Sequence, residues 1–452
     1  MPDRKSTAVP AGRDLTLDLV RVVCLLTVVA AHVCFVAIRH TADGGVQPWT
    51  PPQEWALFPI GTWFIQPMPM FFVIGGCVGA IAWRSAQRRG EDGFSFFRTR
   101  LLRFAQPTAG LFVVLGLVFG GAVLLGVPMD LADAASYGVG TPIWFVGAYL
   151  VCQAMLPAMV AAHHRRPVLT LSLLAAGAVL VDVVRSFAGI PAIGLLNYLF
   201  TWPFAQQVGV WLAEGPLGVG TRSESDRVAP VTPSPAALLL VWVGAMAVTA
   251  LTATADPAGP DMLQNQIPPT VPLLPMTVAH TALFLLLRPW LRQLCTRRAV
   301  LVPMAVVGSR AMTVYLWHST FVIGIAAMLF FLPGLPQAPS PAWWLLRAPV
   351  YVVVLGLVLL LSIPLVRLER APARDALPIT DRTGVRVLIV VAGVLAVIPA
   401  FLTTIPGEGD RLRGLDLELL LAGAGMLLAT LLLVRVGPRS SAVDDAAAAV
   451  EP

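Results

Sequence analysis

The first apolar run of the chain, residues 14–40 (DLTLDLVRVVCLLTVVAAHVCFVAIRH), has three strongly polar side chains in its interior: Asp18, Arg21 and His32. At about 100° per residue all three fall on one stripe of a single helix, with Arg21 and His32 about 16 Å apart along its axis. A neutral imidazole can take the proton of a hydroxyl group, and a guanidinium can hold an anion. Ionisable groups are costly inside a bilayer unless they face a protein interior or a wet cavity, so the stripe indicates a site. The structural alternative is an Asp18–Arg21 pair at the helix end and His32 as an interhelical hydrogen bonder.

The composition is that of a polytopic membrane protein. Of 452 residues, 57% are hydrophobic and 12% are charged, and the mean hydropathy is +0.78. Soluble proteins carry roughly twice that share of charge. The net charge of +6 comes from arginines that lie mostly between apolar runs, which indicates membrane topology and not a nucleic-acid partner. The five cysteines are scattered without a CxxC pair or metal-ligand spacing, so we expect no metal site.

The hydropathy pattern predicts an all-α transmembrane bundle of about twelve spans. The spans are expected at residues 15–37, 58–83, 101–127, 142–162, 168–188, 192–213, 235–253, 271–290, 301–332, 344–366, 387–406 and 414–434. Arginines recur in every second connector, with Arg39, Arg347 and the cluster Asp410–Arg413 as exceptions in the opposite loops. This bias predicts a multi-pass protein of the cell membrane with both termini in the cytoplasm. Residues 1–13 and 438–452 are expected to be disordered tails.

Five segments occur in an order that resembles the acyltransferase-3 family of integral membrane acyltransferases. They are LDLVRVVCLLTVVAAHV, PMPMFFVIGGCVGAIAWR (67–84), FFRTRLLRFAQP (96–107), TPIWFVGAYL (141–150) and SRAMTVYLWHS (309–319). The family's last segment is usually nearer S-L-x-x-Y-x-x-H; here Arg310 and Ala311 precede Met312, while Tyr315 and His318 keep the three-residue spacing. The resemblance implies a ten-helix membrane domain over residues 14–367, followed by an extension over 368–437 with two further transmembrane helices.

The resemblance implies transfer of a small acyl group, acetyl above all, from cytoplasmic acyl-CoA to a hydroxyl of a glycan, a glycolipid or a glycosylated metabolite. Its partners would be the lipid bilayer, acyl-CoA and that acceptor, with no permanently bound cofactor. His32 matches the family's histidine on the first span and is the candidate base, acting directly or through an acyl-imidazole. Arg21 would hold an anionic part of the donor or a developing oxyanion, and Asp18 would fix its guanidinium.

Further residues are candidates for binding the two substrates. Arg84, Arg100 and Arg103 are expected to bind the donor phosphates, since arginine forks suit phosphates; positive-inside topology alone is the alternative. Gln66, Trp144, Tyr315 and His318 are expected to line the channel or the acceptor site, with helix packing as the alternative.

A proton-coupled secondary transporter is the rival function. Twelve spans with both ends inside suit a transporter, and an Asp/Arg/His stripe could relay protons. Against it, no pair of Gly/Pro-broken spans recurs at corresponding positions in two halves of the chain.

Overall fold

The protein is built almost entirely from α-helices. The computed structural model describes residues 14–40, 46–127, 135, 138–140, 142–215, 219, 233–365, 382–402, 411–412 and 415–434; both predicted tails lie outside this part. The helices are α1 (Leu15–Phe35), α2 (Phe58–Ile65), α3 (Met68–Arg88), α4 (Gly93–Leu124), α5 (Ile143–Arg165), α6 (Pro167–Ala188), α7 (Thr201–Glu214), α8 (Pro235–Ala255), α9 (Leu273–Leu294), α10 (Arg298–Gly308), α11 (Ala311–Phe331), α12 (Pro341–Leu345), α13 (Arg347–Leu365), α14 (Arg382–Leu402) and α15 (Leu417–Val434).

Two short hairpins interrupt the predicted all-α architecture. Strands β1 (Ala37–His40) and β2 (Val46–Trp49) follow α1 and pair antiparallel, with Ala37 opposite Trp49. Strands β3 (Arg411–Leu412) and β4 (Leu415–Asp416) pair antiparallel between α14 and α15. Strands this short carry too little periodic pattern for the sequence to indicate them.

Within the described residues, ten helices are long and apolar enough to cross a membrane, fewer than the twelve spans predicted. The segment expected at 192–213 is a 3₁₀ helix, Pro191–Leu199, followed by the 14-residue α7. At 1.5 Å per residue α7 is about 21 Å long, short of a hydrocarbon core of about 30 Å. The segment expected at 414–434 contains a shorter apolar helix, Leu420–Val434. The break at Phe200 divides the first of these segments, and the count of twelve spans stays a prediction.

The chain divides into two compact units, and α1 contributes to both. The first unit comprises residues 1–24, 66–89 and 155–308. In it Asp14 caps the start of α1, because its carboxylate accepts hydrogen bonds from the backbone and hydroxyl of Thr16 and pairs with Arg288 on α9. Burial raises the pKa of Asp14, but the Thr16 and Arg288 hydrogen bonds and the guanidinium charge outweigh it and hold this pKa below its ordinary value.

Helices α3 and α7 cross in backbone contact within the first unit. A Cβ added at Gly209 would lie 1.9 Å from the carbonyl oxygen of Val73, and one added at Gly76 would lie 2.0 Å from that of Gln206. The aromatic rings of Phe72 and Trp202 stack beside this crossing with centroids 4.6 Å apart. Small residues permit such close approach in membranes, where van der Waals packing drives helix association.

The second unit comprises residues 25–65, 90–154 and 309–452. It contains the rest of α1, which packs with α11 and α13 through contacts described below. In the C-terminal part, α15 packs against both α14 and α4. Alanines on α14 and α15, such as Ala396 and Ala429, are fully buried, and Arg98 on α4 donates a hydrogen bond to the carbonyl of Leu433 at 2.9 Å.

Replacing Gly209 by alanine is expected to destabilise the protein by about 3 kcal/mol, at the upper end of the cost of overpacking. The methyl group would meet backbone atoms of α3, which cannot rotate away. The matched control is Gly244→Ala in α8, where an added Cβ meets nothing within 4 Å; it should keep or raise stability, because alanine is the better helix former. Thermal unfolding in detergent measures both variants, and equal midpoints would refute the close crossing.

Candidate functional site

His32 lies on the face of α1 that points into the protein. Its Nδ1 atom is 2.8 Å from the carbonyl oxygen of Val28, one turn earlier. Its neighbours Val28 and Val29 are buried, while Val23 is 50% exposed, so the opposite face of α1 points outward. The side chain of His32 itself is half-buried. The structure therefore places His32 on the interior face of α1. An ionisable side chain that faced lipid there would cost free energy.

His318 on α11 packs directly against His32. The two rings meet edge to face with centroids 4.8 Å apart, and Nε2 of His318 is 3.4 Å from Nδ1 of His32. His318 is fully buried, and its Nδ1 atom is 2.6 Å from the carbonyl oxygen of Tyr315. The sequence marked both histidines, but their 286-residue separation hid the contact between them.

The side chain of Tyr315 is held by contacts within the protein. Its hydroxyl donates a hydrogen bond to the carbonyl oxygen of Pro142 at 2.5 Å, and its ring lies 4.9 Å from that of Phe145. Trp144, on the same first turn of α5, is also buried and meets Phe145 edge to face. These contacts tie α11 to the start of α5 behind the histidine pair; a role of Tyr315 and Trp144 as channel lining stays a prediction.

Arg347 is a buried arginine at this site to which the sequence analysis assigned no role. Its guanidinium lies 3.8 Å above the ring of Trp343 and donates hydrogen bonds to the carbonyl oxygens of Trp343 and Val33, each at 3.2 Å. The Val33 carbonyl belongs to the last turn of α1, where backbone oxygens lack helical partners and a cation is favoured. Arg347 therefore fixes the end of the helix that carries His32. In the sequence, Arg347 stands out because it lies in a loop where the positive-inside bias predicts few arginines.

Asp18 and Arg21 form the ion pair that their spacing predicts, in the first unit. The Oδ1 atom of Asp18 and the Nη2 atom of Arg21 are 3.7 Å apart. Nε of Arg21 is buried without a hydrogen-bond partner among the described residues. Because α1 is continuous from Leu15 to Phe35, both side chains share a helix face with His32. Their part in chemistry stays a prediction.

The three arginines expected to bind the donor differ in their surroundings. Arg100 and Arg103 lie on α4 in the second unit, and neither forms an ion pair with a carboxylate of the described residues; Arg100 lies 4.6 Å above the ring of Phe96. Arg84 lies in the first unit and pairs with Glu214 at 3.1 Å. Arg84 is thus already paired with a carboxylate, and binding of the donor by Arg100 and Arg103 stays a prediction.

Gln66 is committed to contacts in the first unit. It lies between α2 and α3, and its Nε2 atom donates to the carbonyl oxygen of Met262 at 3.0 Å and to Oε1 of Gln266 at 3.1 Å. The side chain is buried. These bonds anchor the break before Pro67, while lining of a channel by Gln66 stays a prediction. Among the described residues there is no cluster of three His, Cys, Asp or Glu side chains that could hold a metal ion.

The ten helices of membrane-spanning length among the described residues define a multi-pass helical membrane protein, in which His32 and His318 are in contact. The sequence profile of the acyltransferase-3 family, described as an acyltransferase domain, matches residues 14–367. The chain therefore belongs to the acyltransferase-3 family, as the five sequence segments predicted, and it is an acyltransferase. No curated protein matches the chain, and no solved structure matches it.

Replacing Arg347 by lysine is expected to lower the stability by about 2 kcal/mol, since a lysine keeps the buried charge but cannot make both hydrogen bonds while stacking on Trp343. Arg39→Lys is the matched control: Arg39 also lies over a tryptophan, Trp49, at 5.3 Å. It is 46% exposed and pairs with Glu54, so its replacement should change stability by less than about 0.5 kcal/mol. Thermal unfolding in detergent measures both; equal midpoints for the two variants would refute the anchoring role.

Proposed function

We propose that the protein transfers a small acyl group, acetyl above all, from cytoplasmic acyl-CoA to a hydroxyl group of a glycan, a glycolipid or a glycosylated metabolite. The observation that carries this proposal is His32: a half-buried imidazole on the interior face of a membrane helix, held by Val28 and packed against His318. A neutral imidazole in this position suits the removal of a proton from a hydroxyl group.

In the proposed reaction, His32 takes the proton of the acceptor hydroxyl while the hydroxyl oxygen attacks the thioester carbon. The carbon–sulfur bond then breaks, the ester forms, and the proton passes to the sulfur of the departing coenzyme A. A second route starts with attack of His32 on the thioester, and the acceptor then takes the acyl group from the acyl-imidazole. Both routes need an unprotonated ring nitrogen on His32. Arg21, about 16 Å from His32 along α1, would hold an anionic part of the donor.

Arg100 and Arg103 support binding of an anionic donor. They lie within the first three turns of α4, one helical turn apart, in the same unit as His32. Guanidinium groups without an ion pair to a described carboxylate suit the phosphates of coenzyme A, because arginine binds phosphate oxygens in a fork. With both termini in the cytoplasm, as the positive-inside bias predicts, this end of α4 would face the cytoplasmic pool of acyl-CoA.

A small cleft lies just past the end of α1, and we propose that the acceptor approaches His32 from this side. It is lined by Ala37 and Ile38 of β1, the end of α11 around Phe330, and Trp343. In the proposed orientation this end of α1 faces away from the cytoplasm, since His32 lies about 25 Å from the start of the helix. An acceptor entering from the outside and an acyl group arriving from the inside would then meet at His32.

Replacing His32 by alanine is expected to lower turnover by at least about 100-fold, the usual effect of removing a general base, with folding retained. Turnover is measured as release of free coenzyme A thiol by the purified protein with acetyl-CoA and an extract of glycans and lipids. His280→Ala, which removes another imidazole from a membrane helix, is the control and should stay active. Normal turnover of a folded His32→Ala protein would refute the assignment of the base.

Replacing Arg100 and Arg103 together by alanine is expected to weaken acetyl-CoA binding at least about tenfold, since two charge-assisted contacts to phosphate are lost. The Arg165→Ala/Arg166→Ala double variant is the control, because it removes the same charge from exposed positions. Binding is measured by microscale thermophoresis in nanodiscs, and added salt should weaken it in the native protein. Equal affinities for the two double variants would refute a donor site at Arg100 and Arg103.

A further inference from the structure

The contacts of His32 and His318 show which ring nitrogen of each histidine carries the proton. Nδ1 of His32 lies 2.8 Å from the carbonyl oxygen of Val28, and Nδ1 of His318 lies 2.6 Å from that of Tyr315. A carbonyl oxygen only accepts hydrogen bonds, so the ring nitrogen facing it must carry the proton. Each neutral ring is then protonated at Nδ1 and holds its lone pair at Nε2.

This assignment makes His318 an acceptor directed at His32. The Nε2 lone pair of His318 lies 3.4 Å from Nδ1 of His32 and 3.3 Å from the hydroxyl of Ser319. The single Nδ1–H of His32 therefore has two acceptors, the Val28 carbonyl and His318. In the other tautomer, the lone pair on Nδ1 of His32 would face both acceptors without a hydrogen between them, which is unfavourable.

We propose that His318 is a positioning residue that, as the second acceptor beside the Val28 carbonyl, supports His32 in the Nδ1–H tautomer and leaves its Nε2 atom free to act as base or nucleophile. The inference rests on the proposed function only for its kinetic consequence; the tautomer itself follows from the contacts. His318 is fully buried and His32 half-buried, so the substrate meets His32 while His318 supports it from behind.

His318 supplies what a carboxylate supplies to histidine in serine hydrolases. There, an aspartate bonded to Nδ1–H fixes the tautomer and stabilises the imidazolium that forms during the reaction. In the described part of this chain, no carboxylate forms an ion pair or a hydrogen bond with His32. When Nε2 of His32 takes a proton, its Nδ1–H becomes a stronger donor to His318, which stabilises the charged ring.

A neutral imidazole suits this place better than a carboxylate would. The neighbouring cation is Arg347, which donates a hydrogen bond to the carbonyl of Val33, the residue that follows His32. An aspartate beside His32 would pair with an arginine in this apolar region and fix a buried charge, which costs several kcal/mol unless its geometry is excellent. His318 instead offers an acceptor without net charge.

The kinetic test compares two substitutions at one position. His318→Phe keeps the ring volume but removes the acceptor, and we expect kcat to fall about 10- to 100-fold, the effect of losing one hydrogen bond to a charged group. The KM for acetyl-CoA should stay within about twofold, since ground-state binding of the donor is not touched. His318→Gln places an amide oxygen near the position of Nε2 and should recover most of kcat.

Thr320→Val is the control for changes within α11. Its hydroxyl is buried without a hydrogen-bond partner among the described residues, so its removal should leave kcat and KM unchanged. A folded His318→Phe protein with native kcat would overturn the positioning role. It would leave the proposed function intact if His32→Ala still abolished transfer.

A spectroscopic test identifies the tautomer of His32 without an activity assay. Histidine ¹⁵N shifts distinguish a protonated ring nitrogen from one that carries a lone pair, and the His32→Ala and His318→Phe variants assign the two signals. In proteoliposomes above neutral pH we expect His32 to show a protonated Nδ1 and a bare Nε2. In the His318→Phe protein the Val28 carbonyl still faces Nδ1 of His32, so the tautomer should persist, while the Nδ1 signal should shift because one of its two acceptors is lost. A protonated Nε2 on His32 in the native protein would overturn the proposal, whatever the turnover assays show.

Discussion

A polar group without a partner in apolar surroundings is costly, and this constraint explains where the ionisable residues of the protein lie. His32 and His318 each place one ring nitrogen against a backbone carbonyl of their own helix and share a third contact with each other. Arg347 donates a hydrogen bond to the Val33 carbonyl at the end of α1, and its guanidinium lies over the ring of Trp343. Each of these contacts also fixes the orientation of a side chain, so the same constraint builds an ordered site.

The packing of the helices follows from the same apolar surroundings. Lipid is as apolar as a leucine side chain, so helices gain little from burying apolar surface against each other and depend on close van der Waals contact. Gly76 and Gly209 allow α3 and α7 to touch through their backbones, and small residues on α14 and α15 serve the same purpose in the other unit. The residues that face lipid are large and apolar, as Val23 on α1 illustrates.

The arginines differ in whether a partner within the protein already binds their guanidinium group. Arg84 is neutralised by Glu214, and Arg98 is bonded to the end of α15. Arg100 and Arg103 follow Arg98 along α4, and neither forms an ion pair with a carboxylate of the described residues. The positive-inside bias does not distinguish these four arginines, because it depends on the number of arginines in a loop and not on their partners. Only the contacts of each guanidinium show which of them can receive an anion.

The sequence by itself determined the class of the protein, its family and the stripe on α1, because hydropathy, segment order and helical periodicity are local properties. It marked His32 and His318 separately, and it placed ten of the apolar helices. It did not show the break between Leu199 and Thr201 within the span expected at 192–213, since a run of apolar residues does not show where a helix breaks. The contact between the histidines, the anchoring by Arg347 and the compensation of Arg84 join residues far apart in the chain. Only the tertiary structure decides such contacts, because they depend on how helices pack and not on any pattern within one of them.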